Sequence, residues 1–420
     1  MSLIFADSLT RYGNSDGVSA APFLLRYGWS ASGNVHNKTG SHFGASHLQI
    51  SGGSQGGKSA YWAAIRRSIT PTTSVGMSLK CSPFSFQDAG TGTVTDYHFA
   101  RITLSNGHYV DLFIGLQIFH NNSFTTNSVW TTNVHAMYFR YNESVDIRNS
   151  AANAALPGRR IDFSGKTMNV YSRPASRDVM WTANFTTTNW MHLDFSFNTV
   201  TKRFSARAVF PQDNTVFSAL TTDPSPRVVI GNVITIPDGL TITAVTVYGT
   251  DWGGTKVSDL VLWTEDSVGL SSMPDSPLNL RVQRVVPASD GSFNTWTPTS
   301  GTNTAMVSET PYSDATLSTG VGIGSKQTFL MGALGSSTSS IKSGVRGIQI
   351  NPNLMDVGAN NSVAAPIQVI GGTETSLGSG VVPSRVSYTA QARMLTINPQ
   401  TSLPYTVAEI NAMELGLNIQ

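Results

Sequence analysis

The stretch HFARITLSNGHYVDLFIG, residues 98–115, decides the fold class. Two apolar runs flank Asn106-Gly107, a pair that tolerates positive φ and so gives the strongest short-range signal for a β-hairpin. A second stretch, WMHLDFSFNTVTKRFSARAVF (190–210), repeats the theme. Its alternation sends Met191, Leu193, Phe195 and Phe197 to one side and His192, Asp194, Ser196 and Asn198 to the other, a period of two. Phe204, Ala206, Ala208 and Phe210 share a face of the return strand. RVVIGNVITIP (227–237) and LTITAVTVYG (240–249) are apolar on both faces and read as inner strands, and SDLVLWTED (258–266) closes the series. Short strands bounded by Gly, Pro, Asn and Asp turns predict a β-sandwich.

Outward from this block the pattern changes. SVGLSSMPDSP (267–277) has two prolines, Ser and Gly, and no periodicity, which marks a linker. A new strand series then begins at LNLRVQRVV (278–286) and continues through KQTFLMGAL (326–334), SGVRGIQINPNLMD (343–356), APIQVIGG (365–372) and RVSYTAQARMLTI (385–397). The chain ends on TSLPYTVAEINAMELGLNIQ (401–420). Here Thr406 and Glu409 have the spacing of a capping box, which predicts a short helix. Leu415, Leu417 and Ile419 then alternate with polar residues and Gly416, so the last segment is expected to dock in a sheet. The fold class expected is all-β, with two tandem β-sandwich domains and a short C-terminal helix. The first domain spans 1–267, the linker 268–277 and the second domain 278–420. No fixed-period repeat points to a solenoid or propeller.

Composition excludes several function classes. Of 420 residues only 12% are charged, against about 25% in ordinary soluble domains, and the net charge is +2. Ser, Thr, Asn and Gly fill the difference, so the surface is expected to be neutral and polar. No run of Lys or Arg supports phosphate neutralisation, and Arg66-Arg67 and Arg159-Arg160 are isolated pairs, so no nucleic acid is expected as a partner. Cys81 stands alone, which rules out an intrachain disulfide. MSLIFADSLTRYG lacks the basic start and apolar stretch of a secretory signal, and no segment approaches the roughly 20 apolar residues of a membrane span. A protein made in the cytoplasm without membrane insertion is expected.

No catalytic constellation stands out. A glycanase needs two carboxylates about 5–10 Å apart across a cleft. Asp111, Asp194 and Asp259 fall on predicted strands beside large apolar residues, and ordinary rim carboxylates are the better reading. Ser46 in GASHL and Ser54 in GGSQGG only loosely resemble a nucleophile elbow. His36, His42 and His47 sit in a Gly/Ser region without zinc-ligand spacing. Gly52 through Gly57, Lys58 and Ser59 satisfy the phosphate-loop pattern, yet no βαβ context surrounds them, so chance in a Gly-rich chain explains the match. Calcium has a foothold only at NSDG (14–17), where no ladder of Asp ligands follows. No catalytic residue, metal site or cofactor is expected. Among Trp62, Trp130, Trp181, Trp190 and Trp252, the residues Trp130 and Trp252 lie in polar loop sequence and are the candidate stacking platforms for sugar rings.

LIFADSLTRYG, GKSAYW, NWMHLDFSFN and VTVYGTDWGGTKVSDLVLWTED follow one another in an order that resembles concanavalin A-like (laminin G-like) jelly-roll domains of tailed-phage virion proteins. In that type an opening F-x-D segment pairs near a closing D-x-x-x-W strand. The second block, through LNLRVQRVVPASDGSFNTWTP, VSETPYSDAT, SGVRGIQI and PQTSLPYTVAEINAMELGLNI, is similar to a module that follows in such proteins. The resemblance implies a non-enzymatic structural or adhesive virion protein of a tail tip or fibre. It further implies partners among copies of itself and other virion proteins, and contact with host-surface glycan. A polysaccharide depolymerase and a capsid decoration or head-fibre protein are the alternatives. The family's sugar-binding and calcium residues have no matching positions here.

Overall fold

The computed structural model describes residues 2–9, 12, 19–38, 47–51, 63–83, 94–120, 130–142, 159–162, 183–185, 191–209, 236–249, 255–264, 282–308, 315–334, 345–358 and 361–420. Contacts cluster into two compact units. The first comprises Met1–Thr10, Ser15–Leu25 and Trp29–Arg281; the second comprises Arg11–Asn14, Arg26–Gly28 and Val282–Gln420. The expected linker, 268–277, lies outside the described residues.

Strands of the first unit run in chain order as β1 (Ser2–Asp7), β2 (Trp29–Ser32), β3 (Asn34–Lys38), β4 (His47–Ser51), β5 (Ala64–Thr72), β6 (Ser74–Pro83) and β7 (Val94–Leu104). They continue as β8 (Tyr109–His120), β9 (Trp130–Asn142), β10 (Arg159–Asp162), β11 (Ala183–Phe185), β12 (Met191–Asn198), β13 (Arg203–Val209), β14 (Ile242–Tyr248) and β15 (Thr255–Thr264). A six-residue helix, α1 (Ala21–Arg26), precedes β2. The strands divide into a seven-stranded sheet in the order β13-β12-β6-β15-β4-β3, with β1 also on β15, and an eight-stranded sheet in the order β10-β9-β8-β7-β14-β5-β2, with β11 also on β9. Consecutive strands repeatedly change sheet, as from β5 to β6 to β7, which is the wrapping of a jelly-roll sandwich.

Apolar rows from the two sheets fill the interior. Leu79, Leu193, Phe195 and Phe197 come from one; Ile102, Val110, Leu112, Val245 and Val247 come from the other, all buried. Across the sheets, the rings of Phe5 on β1 and Trp29 on β2 meet edge to face at 5.7 Å. Trp29 Nε1 donates to Asp7 Oδ2 at 3.1 Å. This bond satisfies a buried indole N–H and a buried carboxylate oxygen together.

The hairpin at residues 98–115 forms, with a different turn. Leu104 N donates to His108 O at 2.9 Å and Gly107 N to Leu104 O at 3.0 Å. Gly107 alone of the Asn-Gly pair has positive φ, at +81°. Asn106 instead uses its side chain, accepting from His108 N at 3.1 Å. The connection is therefore a three-residue loop ending in a left-handed glycine, not the two-residue turn that the dipeptide suggests. The hairpin 190–210 forms as β12 and β13 with Asn198 opposite Arg203. β1 pairs with β15, placing Phe5 opposite Leu262 and Asp7 opposite Leu260. β14 is an inner strand between β7 and β5, whereas most of 227–237 lies outside the described residues.

The second unit contains β16 (Pro287–Asn294), β17 (Thr297–Pro298), β18 (Ser318–Thr319), β19 (Lys326–Met331), β20 (Ile348–Ile350) and β21 (Asn353–Leu354). After these come β22 (Ala364–Ile370), β23 (Thr373–Ser376), β24 (Thr389–Ala390), β25 (Arg393–Leu395) and β26 (Glu414–Ile419). Helices α2 (Asn303–Val307) and α3 (Val407–Ala412) accompany them. One five-stranded antiparallel sheet, β16-β19-β26-β22-β23, is joined by three two-stranded ladders. Two matched sheets, as a second sandwich would have, are not seen among the described residues. Residues 282–286, expected to begin a strand, are irregular, and pairing starts only at Pro287.

The C-terminal segment folds as its pattern dictates. Thr406 Oγ1 accepts from Glu409 N at 3.1 Å, and Glu409 Oε2 accepts from Thr406 N at 2.7 Å, which closes the capping box. β26 then lies in the middle of its sheet, hydrogen-bonded to β19 and β22.

Candidate functional site

Each sheet of the first unit carries an apolar face and a polar one, and the polar faces hold the chemistry. In the eight-stranded sheet, strand register sets a row of polar residues directly opposite one another. Asp111 on β8 faces Arg101 on β7, which faces Thr246 on β14, which faces Arg66 on β5, which faces Ser30 on β2. Arg140 on β9 takes the next register position beyond Asp111. Because Ile102, Val110 and Leu112 point inward, alternation turns Arg101 and Asp111 to the other face.

Arg101 grips Asp111 with two bonds, Nε to Oδ1 at 2.6 Å and Nη2 to Oδ2 at 3.1 Å. This bidentate geometry is the strong form of the ion pair. Tyr109 and Tyr248 flank the guanidinium, with ring centroids 3.9 and 5.9 Å from its central carbon. Asp111 is fully buried and Arg101 nearly so, while Tyr109 and Tyr248 are half-buried and Arg66, Ser68 and Ser30 are exposed. Burial would lower the Arg101 pKa, but the hydrogen bond and charge of Asp111 outweigh it and raise it. Burial pushes the Tyr248 phenol up to about 12. Arg101, Asp111 and Thr246 are therefore covered, and what this part of the face leaves accessible is the two half-buried tyrosines and the exposed Arg66, Ser68 and Ser30. Both Asp111 oxygens are occupied, which leaves Asp111 no proton to give and makes it a poor general acid.

In the seven-stranded sheet the polar face is closed. Lys80 on β6 bonds Asp259 on β15, with both side chains less than 10% exposed. Asp194 on β12 is fully buried and lies opposite Ser78. Asp111, Asp194 and Asp259 are therefore interior groups, not rim carboxylates as the sequence suggests. Two of the three are consumed in ion pairs.

Other sequence-derived candidates are dispersed. Trp130 opens β9, opposite His120 on β8 and Phe185 on β11, rather than lying in a loop. Trp252, Trp62, Trp181, Trp190, Ser46, Ser54, His42, the 52–59 motif and NSDG (14–17) lie outside the described residues. His36 and His47 occupy neighbouring strands two register steps apart. No group of three His, Cys, Asp or Glu among the described residues could hold a metal. Cys81 is fully buried, and that burial pushes its thiol well above the ordinary range, which makes it a poor nucleophile. In the second unit, a cavity of about 70 Å³ lined by Ile350, Pro366, Val381, Arg393 and Leu417 is well below the roughly 300 Å³ at which ligand pockets begin. Arg393 there is already spent on the carbonyls of Leu377 and Ser379.

Sequence reading missed Arg101, Tyr109, Tyr248 and Lys80. The first two were recoverable from the hairpin once its loop was counted as three residues, since that register puts Arg101 against Asp111. Lys80 and Asp259 are 179 residues apart, and no local pattern links them.

No family model matches the chain, and no curated protein matches it. Among solved structures, peanut lectin with a nonamer peptide matches at TM-score 0.27 and 9% identity, covering 62% of this chain and 97% of that one. The lectin UEA-II with galactose matches at TM-score 0.28 and 11% identity, covering 63% and 99%. The alginate lyase vAL-1 from Chlorella virus matches at TM-score 0.29 and 9% identity, covering 57% and 93%. Likenesses this weak carry no inference about ligand or activity, and it is the order of strands in its own two sheets that marks the first unit as a jelly-roll β-sandwich.

Proposed function

We propose that this chain is a non-enzymatic structural and adhesive protein of a tailed-phage virion. In this reading it belongs to a tail tip or fibre, occurs in repeated copies, and meets host-surface glycan with the polar face of its eight-stranded sheet. The observation that carries the adhesive reading is the pair of half-buried tyrosines, Tyr109 and Tyr248, held on that face against the buried Arg101–Asp111 pair. Tyrosine rings offer apolar area to the C–H faces of sugars, and the neighbouring Arg66, Ser68 and Ser30 offer hydrogen bonds. The virion reading is supported by the low charge content, the β-rich modules and the resemblance of the motif order. Trp130 and Trp252 remain proposed stacking residues.

Binding of the purified full chain to host polysaccharide tests the adhesive reading. Tyr248→Ala and Arg66→Ala are each expected to weaken binding about tenfold, the scale of one lost contact of about 1.4 kcal/mol. Unchanged binding in both, and in Trp130→Ala and Trp252→Ala, would remove this face and those residues from the contact. Incubation with the same polysaccharide is expected to release no oligosaccharide. Light scattering after size exclusion is expected to show a homo-oligomer, and electron microscopy of particles labelled for this chain is expected to place it on the tail.

A further inference from the structure

We propose that Lys80 and Asp259 are the two ends of an intramolecular amide cross-link that the folded protein forms by itself, with Asp194 moving the protons. The cross-link goes beyond the adhesive reading and does not depend on it. It rests on three placements. Lys80 Nζ touches an Asp259 carboxylate oxygen, and their side chains are only 3% and 9% exposed. Asp259 sits in a β-bulge: Ser258 faces Lys80 and Val261 faces Ser78, so Asp259 and Leu260 together oppose the single residue Leu79. Asp259 has φ +50°, a left-handed conformation that a non-glycine residue keeps only when its surroundings enforce it. The bulge turns the carboxylate out of the strand's regular alternation and onto the lysine. On the other flank, β12 places His192 opposite Lys80 and Asp194 opposite Ser78. Asp194 is therefore the diagonal, same-face neighbour of Lys80, a spacing that a long side chain spans. It is fully buried.

A buried lysine between two carboxylates on adjacent strands of one sheet has what amide formation requires. The lysine ammonium hands one proton to Asp259, leaving an amine and a carboxylic acid. Lys80 Nζ then bonds to Asp259 Cγ. The Asp194 carboxylate takes a proton from the attacking nitrogen and returns it to the departing hydroxyl. The Cγ–O bond breaks and one water leaves. Nitrogen, carbon and oxygen balance, no oxidation occurs, and Asp194 ends as it began. Holding the partners in contact supplies the effective concentration that the uncatalysed reaction between free groups lacks. The product would tie β6 to β15 at the middle of the sheet.

Intact-mass measurement on the denatured full chain tests this. The expected mass is that of the sequence, corrected for any loss of the first methionine, less one water. A branched peptide joining the Lys80 and Asp259 segments is expected after proteolysis. Lys80→Arg and Asp259→Ala are expected to show the full mass. Asp259→Asn presents a carboxamide and is expected to reach the wild-type product mass by losing ammonia. Asp194→Asn, which keeps the shape but cannot take a proton, is expected to keep the full mass while folding normally by circular dichroism. A wild-type mass equal to the sequence, with no branched peptide, would leave only an ion pair and overturn the cross-link. The wild-type mass decides this even if a variant fails to fold. A water loss in Asp194→Asn equal to wild type would overturn the role of Asp194.

Discussion

The indole of Trp263 occupies the space that a side chain on Gly76 would need: a Cβ built at Gly76 falls 1.9 Å from Trp263 Cε2. The two residues are register partners on β15 and β6, and Trp263 is 1% exposed, so the ring has nowhere to go. Gly76→Ala is expected to destabilise the chain by about 1–3 kcal/mol, as overpacking does in close-packed interiors. Urea denaturation should show a lower midpoint with an unchanged slope. An unchanged midpoint would mean that the ring is free to shift.

Removing one member of the Arg101–Asp111 pair is expected to cost more than removing both. Asp111→Ala strands the charge of Arg101, whose side chain is 7% exposed, and the loss should reach about 3–5 kcal/mol. The double substitution Arg101→Met with Asp111→Leu replaces the pair by apolar groups and should recover most of it. A double-mutant cycle on denaturation midpoints separates this from simple additivity, which would show the pair to be uncoupled.

Much of this architecture was legible in the sequence, for a physical reason. Wherever one face of a strand is apolar, as at Leu193, Phe195 and Phe197, period-two alternation reports that face directly. The capping box at Thr406 and Glu409 was equally plain, because both partners lie within one helical turn. What stayed hidden was of two kinds. Asn106-Gly107 suggested a two-residue turn, which would set Arg101 against Leu112; the third loop residue shifts each partner by one and sets Arg101 against Asp111. Contacts such as Lys80 with Asp259 depend on which strands become neighbours, and no local period encodes that. Asp194 read as a solvent-side residue because its neighbours alternate, yet both faces of β12 are covered.

Acid should weaken the second unit through Glu414. Its Oε2 accepts from Ser292 N and Oγ at 2.8 Å and from Thr328 Oγ1 at 2.7 Å. Burial works to raise this carboxyl, but the bonds from Ser292 and Thr328 outweigh it and hold it below its ordinary value. A depressed folded pKa contributes stability that is present above the unfolded value, about 4.3, and lost as pH falls through the folded one. Melting temperature is therefore expected to fall below about pH 4.3 in the wild type and to fall less in Glu414→Gln. Glu409, lowered by its backbone and side-chain bonds to Thr406, acts in the same direction. Parallel acid limbs in wild type and Glu414→Gln would show that Glu414 does not report on folding.

Alkali should act through Tyr405, which donates from its hydroxyl to Gln368 Oε1 at 2.8 Å in the core of the second unit. Gln368 Nε2 in turn donates to Asn398 Oδ1 at 2.9 Å, and Asn398 Nδ2 to Glu409 Oε1 at 2.9 Å, so the phenol anchors a chain of buried amides that ends at the helix cap. Burial first, and then the Glu409 charge, push Tyr405 up to about 12. A raised folded pKa means that the stability it confers is full below the unfolded value, about 10, and is lost as pH rises toward 12. Tyr405→Phe takes away that titration but leaves the Gln368 acceptor short of a donor. Its stability at neutral pH is expected to drop by about 1–2 kcal/mol. Above pH 10 its stability should decline less steeply than that of the wild type. Denaturation midpoints at neutral pH and at about pH 11 check both parts, and equal slopes of stability against pH would place the alkaline transition elsewhere.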